Sequence, residues 1–229
     1  MSISTGKKAR KLLTEDPDLS IDKFKEVEPL NYIQGEYLDA IRNNTVIFGV
    51  GSAGTGKTYV SASFAAAQLF YKRIDKIIVT RPNIEVGRGL GFIPGTLQEK
   101  YAPYLEPFDS VFHRNLGKGF YEYCIKEKKI DPKPLGFMRG STFDDCIVLV
   151  DEAQNITVSE MKMLLSRIGR NTKMILSGDP DQADITNSGL IDATKRLQYI
   201  NGIEVVKFLD EDIVRSKICK QIIMAYNAR

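Results

Sequence analysis

Thr45-Val46-Ile47-Phe48-Gly49-Val50 runs directly into Gly51-Ser52-Ala53-Gly54-Thr55-Gly56-Lys57-Thr58, and the reading of these fourteen residues decides the fold. The first six are mostly apolar or small and carry four β-branched residues, the composition of a strand buried on both faces. The next eight satisfy G-x-x-x-x-G-K-[ST], a pattern whose glycines let the backbone curl with its N–H groups turned inward, towards phosphate oxygens. An alanine-rich helix is predicted from within the loop through about Leu69, which adds a positive helix N-terminus to the cradle. Lys57 then supplies a point charge for the outer phosphates, and the Thr58 hydroxyl a ligand for Mg²⁺.

Working outward, residues from Asn31 show helical spacing in Tyr32, Ile33, Tyr37, Leu38 and Ile41. Strands are predicted at 76–80, 146–150, 173–177 and 203–208. Helices are predicted at 157–168, 188–199 and 213–226. Near-continuous apolar strands alternating with helices imply an α/β fold, with a mainly parallel central sheet covered by helices on both faces. Residues 81–145 hold six of the nine prolines and many glycines, and read as an elaboration on that core, with helical pieces near 97–113 and 119–128. Residues 1–28 are polar, with a basic cluster of Lys7, Lys8, Arg10 and Lys11, and read as an N-terminal arm. Residues 29–229 form a single domain on this reading.

Composition narrows the function classes. The chain has 229 residues, 43% hydrophobic and 27% charged, the balance of a globular protein with a sizeable core. A formal charge of +3 falls short of a dedicated nucleic-acid binder but suits a polyanionic partner. Cys124, Cys146 and Cys219 have neither the number of a closed disulfide framework nor the spacing of a zinc site. No apolar stretch reaches the ~18 residues of a membrane span, so the expectation is a cytoplasmic protein without membrane contact. His113, the single histidine, reads as an ordinary structural residue.

A phosphate cradle alone hydrolyses nothing. Ile147-Val148-Leu149-Val150-Asp151-Glu152 supplies a second part, a central strand with two carboxylates at its C-terminal end, the edge at which open α/β sheets bind ligands. Asp151 is placed to hold Mg²⁺, and Glu152 to act as general base on the attacking water. A carboxylate reserved for water argues for hydrolysis over phosphorylation of a metabolite. At the next strand end, Ser177-Gly178-Asp179-Pro180-Asp181-Gln182 offers Gln182 to hydrogen-bond a terminal phosphate and Asp179 to orient its partners. The phosphate-side set is thus Gly51, Ser52, Ala53, Gly54, Thr55, Gly56, Lys57, Thr58 and Tyr59 with Asp179. The ligands expected are ATP and Mg²⁺.

Taken together, the loop at 51–58, Asp-Glu-Ala-Gln at 151–154 and Gly-Asp-Pro-Asp-Gln at 178–182 resemble the first, RecA-like P-loop motor domain of superfamily 1 helicases. Thr80-Arg81-Pro82, Leu90 to Gly95, Leu97 to Lys100, Met138-Arg139-Gly140, Met161-Lys162-Met163, Ser188-Gly189-Leu190 and Asp212 to Arg215 resemble one branch more closely, the PhoH-like ATPases. The resemblance covers about residues 30–226. It implies that Gln34 reads the adenine edge, with Tyr32 stacking nearby. It also implies that Arg215, at the start of the last helix, contacts the γ-phosphate, with Arg81 as runner-up for a phosphate or nucleic-acid contact.

Related motors close their site between two domains, which implies a homo-oligomer here, a hexameric ring among the options. The work expected is ATP-driven handling of RNA or single-stranded nucleic acid. Phe92, Tyr101, Tyr104, Phe108 and Phe112, with Arg81, Arg88 and Lys100, are candidates for a stacking platform, and the helical spacing of the aromatics suits a core face at least as well. The alternative is an ATP-dependent switch or assembly factor acting on protein.

Overall fold

A computed structural model of the chain describes residue 24, residues 27–82 and residues 97–227, with side chains described outside 97–104 and 227. The basic cluster at 7–11, Arg88, Phe92 and the motif at 90–95 lie outside the described residues. So do the side chains of Lys100, Tyr101 and Tyr104.

The chain opens with α1 (Tyr32–Asn43), β1 (Val46–Gly51), α2 (Lys57–Phe70) and β2 (Lys76–Thr80). The segment that follows carries α3 (Leu97–Leu116), α4 (Lys118–Lys126) and β3 (Ile130–Pro132). The remainder is β4 (Cys146–Val150), α5 (Val158–Leu165), β5 (Thr172–Gly178), α6 (Gly189–Leu197), β6 (Ile203–Phe208) and α7 (Lys217–Asn227). Local chemistry sets several of these boundaries. Asn31 caps α1 by accepting the Gln34 N–H. Thr157 and Glu160 form a reciprocal capping box at α5.

The six strands form one sheet in the order β3-β2-β4-β5-β1-β6. Every pair is parallel. Side chains alternate faces along each strand, and two separate cores follow. Ile47, Ile77, Val79, Ile147, Leu149 and Ile175 point into one, packed with α1 to α4. Val46, Phe48, Ile78, Val148, Val150, Met174 and Leu176 point into the other, packed with α5 and α6. Ala62, Ala65 and Ala66 of α2 are fully buried, and their small size lets that helix lie close on the sheet. The chain therefore crosses from β1 to β2 over one face and from β4 to β5 over the other. That reversal opens a crevice at the C-terminal edge of the sheet, between β1, β5 and β4.

The structure departs from the sequence reading in four places. β3 was not foreseen, because it is three residues long and contains Pro132. It sits at the sheet edge, where a missing N–H is tolerated. The last helix begins at Lys217, so Arg215 lies in the turn before it. Phe24 stacks on Phe70 at 4.9 Å and Val27 packs on the same core, so core contacts begin ahead of residue 28. Phe108 and Phe112 are 2% and 0% exposed. With Leu105, Val111 and Leu116 they form the helix face that packs into the core, so they belong to no stacking platform.

Candidate functional site

The loop between β1 and α2 curls through positive φ at Gly51 (132°), Gly54 (81°) and Gly56 (89°). A Cβ on Gly51 would stand 1.9 Å from the Phe208 carbonyl oxygen, so β6 fits against this position only as glycine. Lys57 begins α2 and folds back over the loop. Its Nζ donates to the Gly51 and Ser52 carbonyls at 2.6 and 2.7 Å and to Thr55 Oγ1 at 3.2 Å. It also lies 5.4 Å from the centre of the Phe208 ring. Burial pulls its ammonium down to about 8, against the attraction of Asp179, Asp151 and Glu152.

The rear of the loop is braced from two elements. Gln34 on α1 is fully buried; its amide donates to the Thr55 carbonyl at 2.9 Å and accepts from the Leu30 N–H at 2.9 Å. Both ends of that amide are occupied behind the loop, and Gln34 is not among the residues that line the cleft in front of it. Tyr32 is 80% exposed, bonds Glu36, and lines a separate groove between α1 and β6. The second brace follows β6: Ser52 Oγ bonds the Asp210 carboxylate, and the Val214 N–H donates to the Gly54 carbonyl at 3.0 Å.

The cleft in front of the loop has a volume of about 380 Å³. Ala53, Gly54, Gly56, Lys57, Thr58 and Tyr59 line it from the loop side, and Asp151, Glu152, Gly178, Asp179 and Gln182 from the ends of β4 and β5. Val214 and Arg215 close it. The Arg215 side chain crosses directly over Gly54, with Cδ and Nε 2.9 Å from where a Cβ would sit there. It thus reaches the cleft of its own chain. His113 packs against Tyr121 on α3 and α4 and takes no part in the cleft.

The two carboxylates differ in surroundings. Burial first, and then the neighbouring Glu152, raise the Asp151 carboxyl above the usual carboxylate range, while Arg81 and Lys57 oppose the shift. Glu152 adopts a left-handed conformation, φ 51°, which turns it away from the line of β4. One of its oxygens lies 3.5 Å from Arg81 at the end of β2, and the other accepts from Gln154 at 2.6 Å. Gln154 is a residue whose part in the site the sequence does not reveal. It is 1% exposed, and its own oxygen accepts the Asp179 N–H at 3.1 Å. Asp179 in turn accepts from the Ala53 N–H at 3.2 Å and from Gln182 at 2.9 Å. Gln154 therefore links the carboxylate strand, the coupling loop and the phosphate loop through consecutive hydrogen bonds.

Thr58 and Asp151 fit a magnesium ion by donor type. Among the described residues no group of three His, Cys, Asp or Glu side chains could hold a metal. A cation here would take two protein oxygens, with phosphate and water completing its shell, which is the small protein share usual for Mg²⁺.

An all-parallel sheet, a glycine loop leading from β1 into α2 and paired carboxylates two strands away define the fold of a P-loop NTPase. The family described as PhoH-like protein matches residues 26–227. Protein PhoH of Escherichia coli K12 is 43% identical over 202 residues, covering 86% of this chain and 57% of that protein. The PhoH-like protein of Bacillus subtilis 168 is 42% identical over 208 residues, covering 90% and 65%. This chain belongs to the PhoH-like protein family, and it spans about 57–65% of the length of these two relatives. Among solved structures it is similar to the Pif1 helicase of Candida albicans, at 16% identity and a TM-score of 0.46, over 88% of this chain and 44% of that one. Among the described residues no helix is long and apolar enough to cross a membrane.

Proposed function

We propose that this chain binds ATP with Mg²⁺ in the cleft, hydrolyses it, and couples turnover to RNA or single-stranded nucleic acid. The observation that carries the reading is the meeting of Lys57, Thr58, Asp151, Glu152, Asp179, Gln182 and Arg215 on one cleft of about 380 Å³. The loop N–H groups and the α2 N-terminus hold the phosphates. Lys57 exchanges the Gly51 and Ser52 carbonyls for the outer phosphates, and the gain in charge-assisted bonding favours that exchange. Bound magnesium would neutralise charge on the transferring phosphoryl group, held by Thr58 and Asp151. Glu152 takes the proton of the attacking water, with Gln154 keeping its carboxylate oriented. Gln182 and Arg215 meet the charge that develops on the γ-phosphoryl oxygens.

Assembly is part of the proposal. Ile218, Ile222 and Tyr226, at helical spacing on α7, are 63%, 51% and 88% exposed, on the helix that follows Arg215 directly. That apolar stripe supports a homo-oligomer in which a neighbour covers α7 beside the nucleotide. The test is sedimentation of the chain with and without nucleotide. A monomer at micromolar concentration in both conditions removes the oligomer from the reading. An unchanged rate of hydrolysis on adding single-stranded RNA would favour a switch acting on protein.

A further inference from the structure

The aromatic residues expected to stack on bases lie in the core or outside the described residues, but the same edge of the sheet presents another. After β3 the chain makes a single 3₁₀ turn, Leu135–Met138. Leu135 and Met138 are 4% and 0% exposed and belong to the core under α5 and α6. The Phe137 N–H donates to the Pro134 carbonyl at 3.0 Å, and the Ser141 N–H to Met138 at 3.2 Å. Two buried anchors and two backbone bonds thus fix the turn, yet Phe137 between them is 71% exposed. A phenyl ring held rigidly in water has no structural use here, since Leu135 and Met138 already secure the segment.

Its surroundings name the ligand. Lys133, whose N–H donates to Val79 at 2.8 Å, ties the turn to the C-terminal end of β2, next to Arg81. By strand spacing the end of β3, from which the turn departs, stands about 10 Å along the edge from the end of β4. Lys133 and Asp131 pair at 3.1 Å and cancel. Arg139, two residues along from Phe137, is exposed and makes no ion pair among the described residues. A Cβ on Gly136 or on Gly140 would meet nothing within 4 Å, so the backbone on either side of the ring is open to close approach. Among the described residues the large exposed hydrophobics of this turn and of α5, which it contacts, are Phe137 at 71% and Val158 at 39%. One exposed ring, even with Val158 on the adjoining helix, is too little for the apolar centre of a protein interface. It is the size of one base, with a cation placed for one phosphate.

We propose that Phe137 is a base-stacking residue for single-stranded RNA or DNA, with Arg139 taking the adjacent phosphate. The inference rests on the nucleic-acid reading given above and assigns it a place: the β2–β3 side of the edge that also carries the nucleotide cleft.

The test is fluorescence anisotropy of a labelled oligouridylate, with oligodeoxythymidylate in parallel, at two or more salt concentrations. Phe137→Ala is expected to weaken binding about tenfold, with an unchanged thermal melt because the ring is exposed. Phe137→Trp should hold or tighten binding, and Phe137→Leu should behave as the alanine variant. Arg139→Ala should lower the salt dependence by about one counterion. Wild-type affinity in Phe137→Ala, or in Phe137→Leu, overturns the stacking role while leaving the nucleic-acid reading in place. Failure of the wild type to bind either oligonucleotide at low salt overturns both. Unchanged oligonucleotide binding with altered sedimentation in Phe137→Ala reassigns the ring to a protein contact and overturns the proposal.

Discussion

The two halves of the sheet's C-terminal edge are built on opposite principles. On the β1–β6 side the polar groups that brace the phosphate loop are matched: Gln34 bonds Thr55 and Leu30, Ser52 bonds Asp210, and Lys57 is held by three oxygens. On the β2–β3 side Arg81 and Glu152 make a partly exposed pair at 3.5 Å, Arg139 is unpaired among the described residues, and Phe137 stands in water. The first half is shaped in advance around a small charged ligand, where a misplaced donor is costly. The second carries fewer matched polar groups among the described residues. Gln154 joins them, bonding Glu152 on one side and the Asp179 backbone on the other.

Substitutions can break this contrast, and the largest effect is expected at the loop glycine. Gly51→Ala places a Cβ 1.9 Å from the Phe208 carbonyl at φ 132°, and should lower stability by more than about 3 kcal/mol in a denaturant titration. Gly136→Ala, on the open side, should stay within about 0.5 kcal/mol of wild type. Similar losses at both positions would mean that the two halves are equally packed.

Gln34→Ala comes next. It strands the buried Thr55 carbonyl and Leu30 N–H, so a loss of about 2 kcal/mol is expected with the ATP-to-GTP preference unchanged. A relaxed base preference at unchanged stability would restore Gln34 to the nucleobase and contradict the brace. Arg81→Ala should be milder still, under about 1 kcal/mol, because both members of its pair are about one-third exposed. Thermal melts across a salt series would show it, and a larger, salt-insensitive loss would place Arg81 among the buried braces.

The smallest effect is chemical. Burial pushes the Cys124 thiol up to about 12, so it forms almost no thiolate near pH 8; burial also raises Cys146, which is closed to solvent. Iodoacetamide should label the half-exposed Cys219 alone without altering the fold. Rapid labelling of Cys124 would show that the core around α3 and α4 opens.

What the sequence made legible follows the same division. β1, the loop, Asp151 and Glu152 could be placed because glycine spacing and unbroken apolar runs are local signals, and β4 and β6 fall on the residues expected. Gln34 was assigned through resemblance, which gives position along the chain but not the direction of a side chain. Phe108 and Phe112 stay ambiguous in sequence because aromatics at helical spacing look alike whether the face they share is covered or bare; α3 packs them into the core. Phe137 was missed for the converse reason, since its exposure depends on two neighbours being anchored elsewhere. β3 escaped because three residues with a proline carry no periodicity.

The most direct test of the central claim is steady-state ATP hydrolysis by wild type and by Glu152→Gln, with nucleotide binding measured on both. The account predicts that the variant binds ATP about as well as wild type and hydrolyses it roughly 10²–10⁴-fold more slowly, the span of a lost general base. Hydrolysis at the wild-type rate in Glu152→Gln would contradict it.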